Sequence, residues 1–142
     1  MRATNKIKGF IFILFTFCII GVLTGCYAIK EENYYSDKNN FITGSAKVEN
    51  IIYDKETAKI YFWLEQIDEA YQDSTFKVEG KNVDILFEKN VFDTIKIGDE
   101  IIFTSAPGYF GDGYCMPIVA ISYKGEELLS FEEGYENLMN LY

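Results

Sequence analysis

Histidine is absent from this 142-residue chain. That removes the commonest general base and the commonest zinc ligand, and with them any Ser-His-Asp or Cys-His catalytic set. Arginine occurs once, at Arg2, so the body of the chain has no guanidinium fork for bidentate grip on phosphate or carboxylate. No glycine-rich phosphate loop ending in lysine is present. Cysteine occurs three times, at Cys18, Cys26 and Cys115.

Charge is unevenly spread. Before Cys26 stand Arg2, Lys6 and Lys8 and no acid; from Cys26 onward ten lysines face all 22 carboxylates, a net −12. A basic, apolar leader ahead of an acidic domain is the expected organisation. Such a domain repels a polyanion, which disfavours nucleic acid as a partner. The total length suits one domain rather than two.

The leader reads "MRATNKIK", then the apolar run "GFIFILFTFCIIGVL", then Thr24, Gly25 and Cys26. Leu23-Thr24-Gly25-Cys26, an aliphatic residue and two small ones before cysteine, resembles the lipobox of bacterial lipoproteins. The resemblance covers residues 1–26. It implies that a peptidase cuts before Cys26 and that the Cys26 thiol carries a diacylglyceryl anchor built on palmitate-type chains. Small residues at the cut suit a narrow protease cleft. An uncleaved membrane helix is the alternative: residues 9–29 carry no charge and reach about 31 Å as a helix. The short apolar run followed directly by a cleavage motif favours the lipoprotein. The expected location is the outer face of the cell membrane. The excess of Lys, Ile, Asn and Tyr hints at an AT-rich, Gram-positive genome. With Cys18 removed and Cys26 lipidated, Cys115 is left alone and no disulfide forms within the domain. It reads as a small buried hydrophobe.

The chain therefore divides into a signal at 1–25, a lipidated N-terminus and polar tether at 26–40, and one domain at 41–142. As random coil the tether spans about 20 Å. In the domain, "FITGSAKVENIIYD" and "AKIYFWLEQ" read as a hairpin about "DKET", and "STFKVEG" as a short strand. In "KNVDILFEKN", Val83, Leu86 and Phe87 fall at helical spacing, so helix is favoured over strand. Gly98-Asp99 marks a bend before "EIIFTS", with Asp99 bonding backbone N–H groups. "YCMPIVAISYKGEELLSF" reads as a hairpin about Lys124-Gly125. Ser130 and Glu133 match a capping box opening a short C-terminal helix that Gly134 weakens. The expected fold is mainly β: a small Greek-key barrel of five or six strands with a short internal helix and a short C-terminal helix. That order resembles an OB-fold. An SH3-like barrel or an open β-sandwich is the alternative.

Three groups carry candidate chemistry. The glycine-rich segment "APGYFGDGYCMP" places Tyr109, Phe110, Asp112 and Tyr114 between two prolines, in the connection that lines the binding face of OB-like barrels. These aromatics either form a contact platform for sugar, peptide or protein, or fold back to plug the barrel end. Asp68, Glu69 and Asp73 cluster, but without the spacing or glycine of an EF-hand loop, so they read as a solvated loop and no metal is expected. Asp99 reads as structural. No cofactor is expected. The leading functional expectation is a non-enzymatic, membrane-anchored binding module whose charge suits a cationic protein or peptide. The alternative is a hydrolase of cell-wall material using carboxylates or a divalent metal. Two carboxylates in one concave, partly apolar pocket would mark the enzyme.

Overall fold

The computed structural model describes residues 29–65, 74–108, 110 and 115–142. Residues 29–35 are helical (α1), and a 3-10 turn, Lys38–Asn40, leads into the first strand. There follow β1 (Ile42–Asp54), β2 (Lys59–Leu64), β3 (Thr75–Val78), α2 (Lys81–Glu88), α3 (Val91–Thr94), β4 (Glu100–Ser105), β5 (Cys115–Tyr123), β6 (Glu126–Leu129) and α4 (Phe131–Met139).

One long strand organises the sheet. The first half of β1, Ile42 to Lys47, pairs with β4; the second half, Val48 to Asp54, pairs with β2. Between the halves a bulge at Val48/Asn50 lets the strand bend and serve both. The Gly98 bend clasps this point: Gly98 N donates to Val48 O (2.7 Å) and Val48 N to Asp99 O (2.8 Å). Gly98 has φ +91° there, which a side chain would strain. Antiparallel β2–β3 and β4–β5 pairs continue the sheet on either side, and a parallel β3–β5 pair joins its ends. The five strands thus close as β1-β2-β3-β5-β4, with α2 between β3 and β4, and β6 adds to β5 from outside. This is a small OB-like barrel. The β3–β5 pairing distinguishes it from an open sandwich.

The barrel interior is packed by Val48, Ile60, Phe62, Phe76, Ile101, Phe103, Ile118 and Ile121, and α2 and α3 cover one end with Val83, Leu86 and Val91. A second cluster lies outside the barrel wall. There Tyr35, Ala106, Val119 and Leu138 are buried, and Tyr34, Phe41, Phe110, Phe131 and Met139 pack against them. β5 stands between the two, with Ile118 and Ile121 facing the barrel and Val119 facing α4, which explains its unbroken apolar run.

α4 opens as its sequence predicts, with Glu133 N donating to Ser130 Oγ (3.3 Å). Gly134 has a further reason to be there. A Cβ at this position would overlap the Val119 carbonyl oxygen, so the glycine lets helix and strand touch backbone to backbone. Buried Asn82, at the start of α2, locks the helices together: its Nδ2 donates to Gly134 O (2.9 Å), and its Oδ1 accepts from Asn137 Nδ2 (2.9 Å).

The segment expected to be a polar tether is a correction. Residues 29–35 are helical, and Tyr35 is 1% exposed. Tyr34 Oη donates to Pro107 O (2.6 Å), Asn40 Nδ2 to Tyr34 O (2.7 Å), and Tyr135 Oη to Ser36 O (2.9 Å). Burial of two adjacent aromatics outweighs the polarity of the residues around them. The folded unit therefore includes residues from 29 onward rather than from 41.

Candidate functional site

Along β2, Ile60, Phe62 and Leu64 point into the core, while Lys59, Tyr61 and Trp63 alternate onto the outer face. Register then assembles a row across the barrel wall: Ile52 of β1 lies opposite Tyr61, Tyr61 opposite Lys77 of β3, and Lys77 opposite Pro117 of β5. Asp54 faces Lys59 on one side of this row, and Thr75 faces Cys115. Ile52, Asp54, Lys59, Tyr61, Trp63, Thr75, Lys77 and Cys115 together line a groove of about 440 Å³. The Tyr61 and Trp63 ring centroids are 6.3 Å apart at 44°, and Ile52 stays largely exposed beside them. Trp63 is the only tryptophan in the chain.

The charges in and beside the groove are tied down. Lys59 Nζ and Lys77 Nζ reach the two oxygens of Glu79, at 2.8 and 3.2 Å. The Lys77 side chain is 6% exposed, and such a buried ammonium needs its partner. The Asp54 carboxylate accepts from Glu56 N (2.9 Å) and Thr57 Oγ1 (2.8 Å), which braces the β1–β2 turn and holds its pKa below the usual carboxylate value. The groove is thus an apolar strip with fixed polar groups along its sides. It can stack a flat or ring-shaped ligand and hydrogen-bond its edges.

A second hollow, of about 380 Å³, adjoins it through Lys59 and includes Glu79, Gly80, Asp84 and Leu141. Two carboxylates line it, but both oxygens of Glu79 are engaged by lysines, so it does not offer the free acid–base pair that glycoside hydrolysis requires. Among the described residues, no group of three or more Cys, Asp or Glu side chains is placed to hold a metal ion.

The sequence-predicted residues fare differently. Phe110 lies half-buried and packs against α1, its ring 5.4 Å from that of Tyr34 and 5.5 Å from that of Tyr35. Tyr109, Asp112 and Tyr114 lie outside the described residues, as do the acid cluster Asp68, Glu69 and Asp73 and the motif Leu23, Thr24, Gly25 and Cys26. Asp99 holds the bend as expected, accepting from Lys96 N (2.8 Å), and this bond with one from the Tyr123 hydroxyl lowers its pKa. Cys115 is half-buried in the groove wall. The groove itself was not singled out from the sequence. The available signal was the alternation Lys59, Tyr61, Trp63 within "KIYFWL", which separates a polar–aromatic face from an aliphatic one.

No helix among the described residues is long and apolar enough to cross a membrane. Compared with family models, with curated proteins and with solved structures, the chain matches none.

Proposed function

We propose that this protein is a membrane-anchored, extracytoplasmic binding module that holds a carbohydrate chain in the groove over β1, β2 and β3. The observation that carries this reading is the juxtaposition of Tyr61, Trp63 and Ile52 with the fixed polar groups of Asp54, Lys59, Thr75 and Lys77. Sugar rings have apolar faces that stack on aromatics and hydroxyl edges that bond to such groups. The outer face of strands 2 and 3 is where OB-like barrels take oligosaccharides. An extended peptide would favour an open strand edge, and at Tyr61 and Lys77 strands β2 and β3 each have strand partners on both sides. The net −12 of the chain after the leader weighs against nucleic acid. It also attracts cationic proteins at long range, but the groove, with two ammonium groups beside it, is a poor seat for one.

Because Trp63 is the sole tryptophan, its fluorescence reports directly on the groove. Soluble glycan fragments should shift it saturably, and Trp63→Ala should weaken binding by about 1–3 kcal/mol with little change in melting temperature. No response to glycans, with a saturable response to a polylysine peptide, would replace the ligand class. The anchor is read from Leu23-Thr24-Gly25-Cys26. Labelled fatty acid should enter the wild type and not Cys26→Ala; a mature chain retaining residues 1–25 without lipid would refute it.

A further inference from the structure

We propose that the second hollow continues the groove, and that the two together hold consecutive sugars of a linear, uncharged glycan rather than a single ring. This rests on the groove reading above and adds to it the length and the charge of the ligand.

The two hollows share a boundary made of side-chain pairs. Lys59 lines both, and its Nζ bonds Glu79 of the second hollow at 2.8 Å. Thr57 of the second hollow donates from Oγ1 to Asp54 of the groove, also at 2.8 Å. These bonds fix polar groups at the junction, where a glycan passing over it presents its hydroxyls. From Trp63 to Lys59 the strand alone covers about 13 Å, and the second hollow starts from Lys59. The combined path is longer than one sugar ring.

The second hollow repeats the chemistry of the groove. Tyr53 supplies an aromatic ring, held in T-shaped contact by Phe87 at 4.9 Å and 87°. Leu141 supplies an apolar wall. It lies so close to Gly80 that a Cβ there would meet its Cδ2 at 3.0 Å, yet it stays 49% exposed. Asp84, exposed in the first turn of α2, supplies acceptors for hydroxyl groups. An aromatic ring, an aliphatic wall and a few fixed polar groups suit the apolar face and polar edge of a sugar. Charge then decides between sugars. The described lining carries one ammonium, Lys59, against the carboxylates of Glu79 and Asp84, so a uronic acid is repelled there and a neutral ring is not.

The test uses soluble oligosaccharides of two to six units. β-1,4-linked glucose and N-acetylglucosamine serve as the neutral ladders, and galacturonic acid as the charged one. Read by Trp63 fluorescence, affinity for a neutral ladder should rise about a hundredfold from dimer to hexamer as the second subsite is engaged. The galacturonic ladder should gain nothing with length. Asp84→Ala should flatten the neutral rise. Leu141→Trp, in a Trp63→Phe background, places an indole in the second hollow without truncating its wall, and should respond to the neutral hexamers. Equal affinity for dimer and hexamer at Trp63, with Leu141→Trp silent, would overturn the second subsite and leave the groove reading intact. A rise with length for galacturonic acid equal to that of the neutral ladders would overturn the charge assignment. Silence of Trp63 towards every ladder would overturn the groove reading and its extension together.

Discussion

The barrel interior and the cluster beside it share one wall, β5, yet they are built from different side chains. The interior is mostly aliphatic, drawn from six strands and two helices and sealed by the ring of strands. The outer cluster is largely aromatic. Tyr34, Tyr35, Phe41, Phe110, Phe131 and Tyr142 meet at centroid separations of 5.4–6.0 Å, mostly tilted or edge-on. Aliphatic side chains fill a closed volume to high density. Large rings with polar tips suit a seam, where a short helix must be held from one side and water is near. The interior makes the fold, and the seam attaches α1 to it.

The sharpest way to break this contrast is to remove one large side chain from each region. Phe62→Ala, in the interior, should cost about 3–5 kcal/mol and lower the whole unfolding transition. Tyr35→Ala, in the seam, should first release α1: amide exchange over residues 29–36 should accelerate while β1, β2 and β4 stay protected. Equal loss of protection in both variants would make the seam part of a single core.

Two glycines sharpen the contrast at a smaller scale. Gly134→Ala, at the junction of seam and wall, should cost about 1–3 kcal/mol through overpacking against Val119, although alanine is the better helix former. Gly98→Ala meets nothing within 4 Å, so its cost, about 1–2 kcal/mol, comes from the left-handed backbone alone. A urea midpoint unchanged in Gly134→Ala would mean that α4 can lift off β5 freely. An unchanged midpoint in Gly98→Ala would mean that the bend can relax.

The smallest effect concerns acid. Asp99 holds the bend with a pKa depressed by its bonds from Lys96 N and Tyr123. Its contribution is therefore complete above the unfolded carboxylate value of about 3.9 and disappears as pH falls through the lower folded value. Asp99→Asn should lose less melting temperature than the wild type between neutral pH and the acid range. Equal losses would remove Asp99 from the account.

Much of the fold was legible because its signals are local. Alternating or β-branched runs flanked by turn residues mark the strands, and Val83 and Leu86 at helical spacing mark α2. α1 was missed because seven helical residues give too little periodicity to read, and because Tyr34 and Tyr35 sit among polar residues whose partners, Pro107, Phe110 and Phe131, are distant in sequence. The groove was missed for a related reason. "KIYFWL" is nearly all apolar, so only the pairing register shows that Tyr61 and Trp63 lie outside, with Lys77 across from Tyr61. The aromatic segment around Phe110 stands out by composition, and its partners Tyr34 and Tyr35 lie far away in sequence.

The parallel contact between Thr75–Lys77 and Cys115–Pro117 also sets an order of events. Synthesis proceeds from the N-terminus, so β1 to β4 exist as chain before β5 does. Until residues 115–117 arrive, β3 and β4 are raw edges of an open sheet, able to pair with another chain. The surface on which α4 rests, Val119 of β5, is missing for the same interval. Protection from self-association is thus acquired late and nearly all at once, and a chain truncated ahead of Cys115 should be far stickier than one lacking only α4.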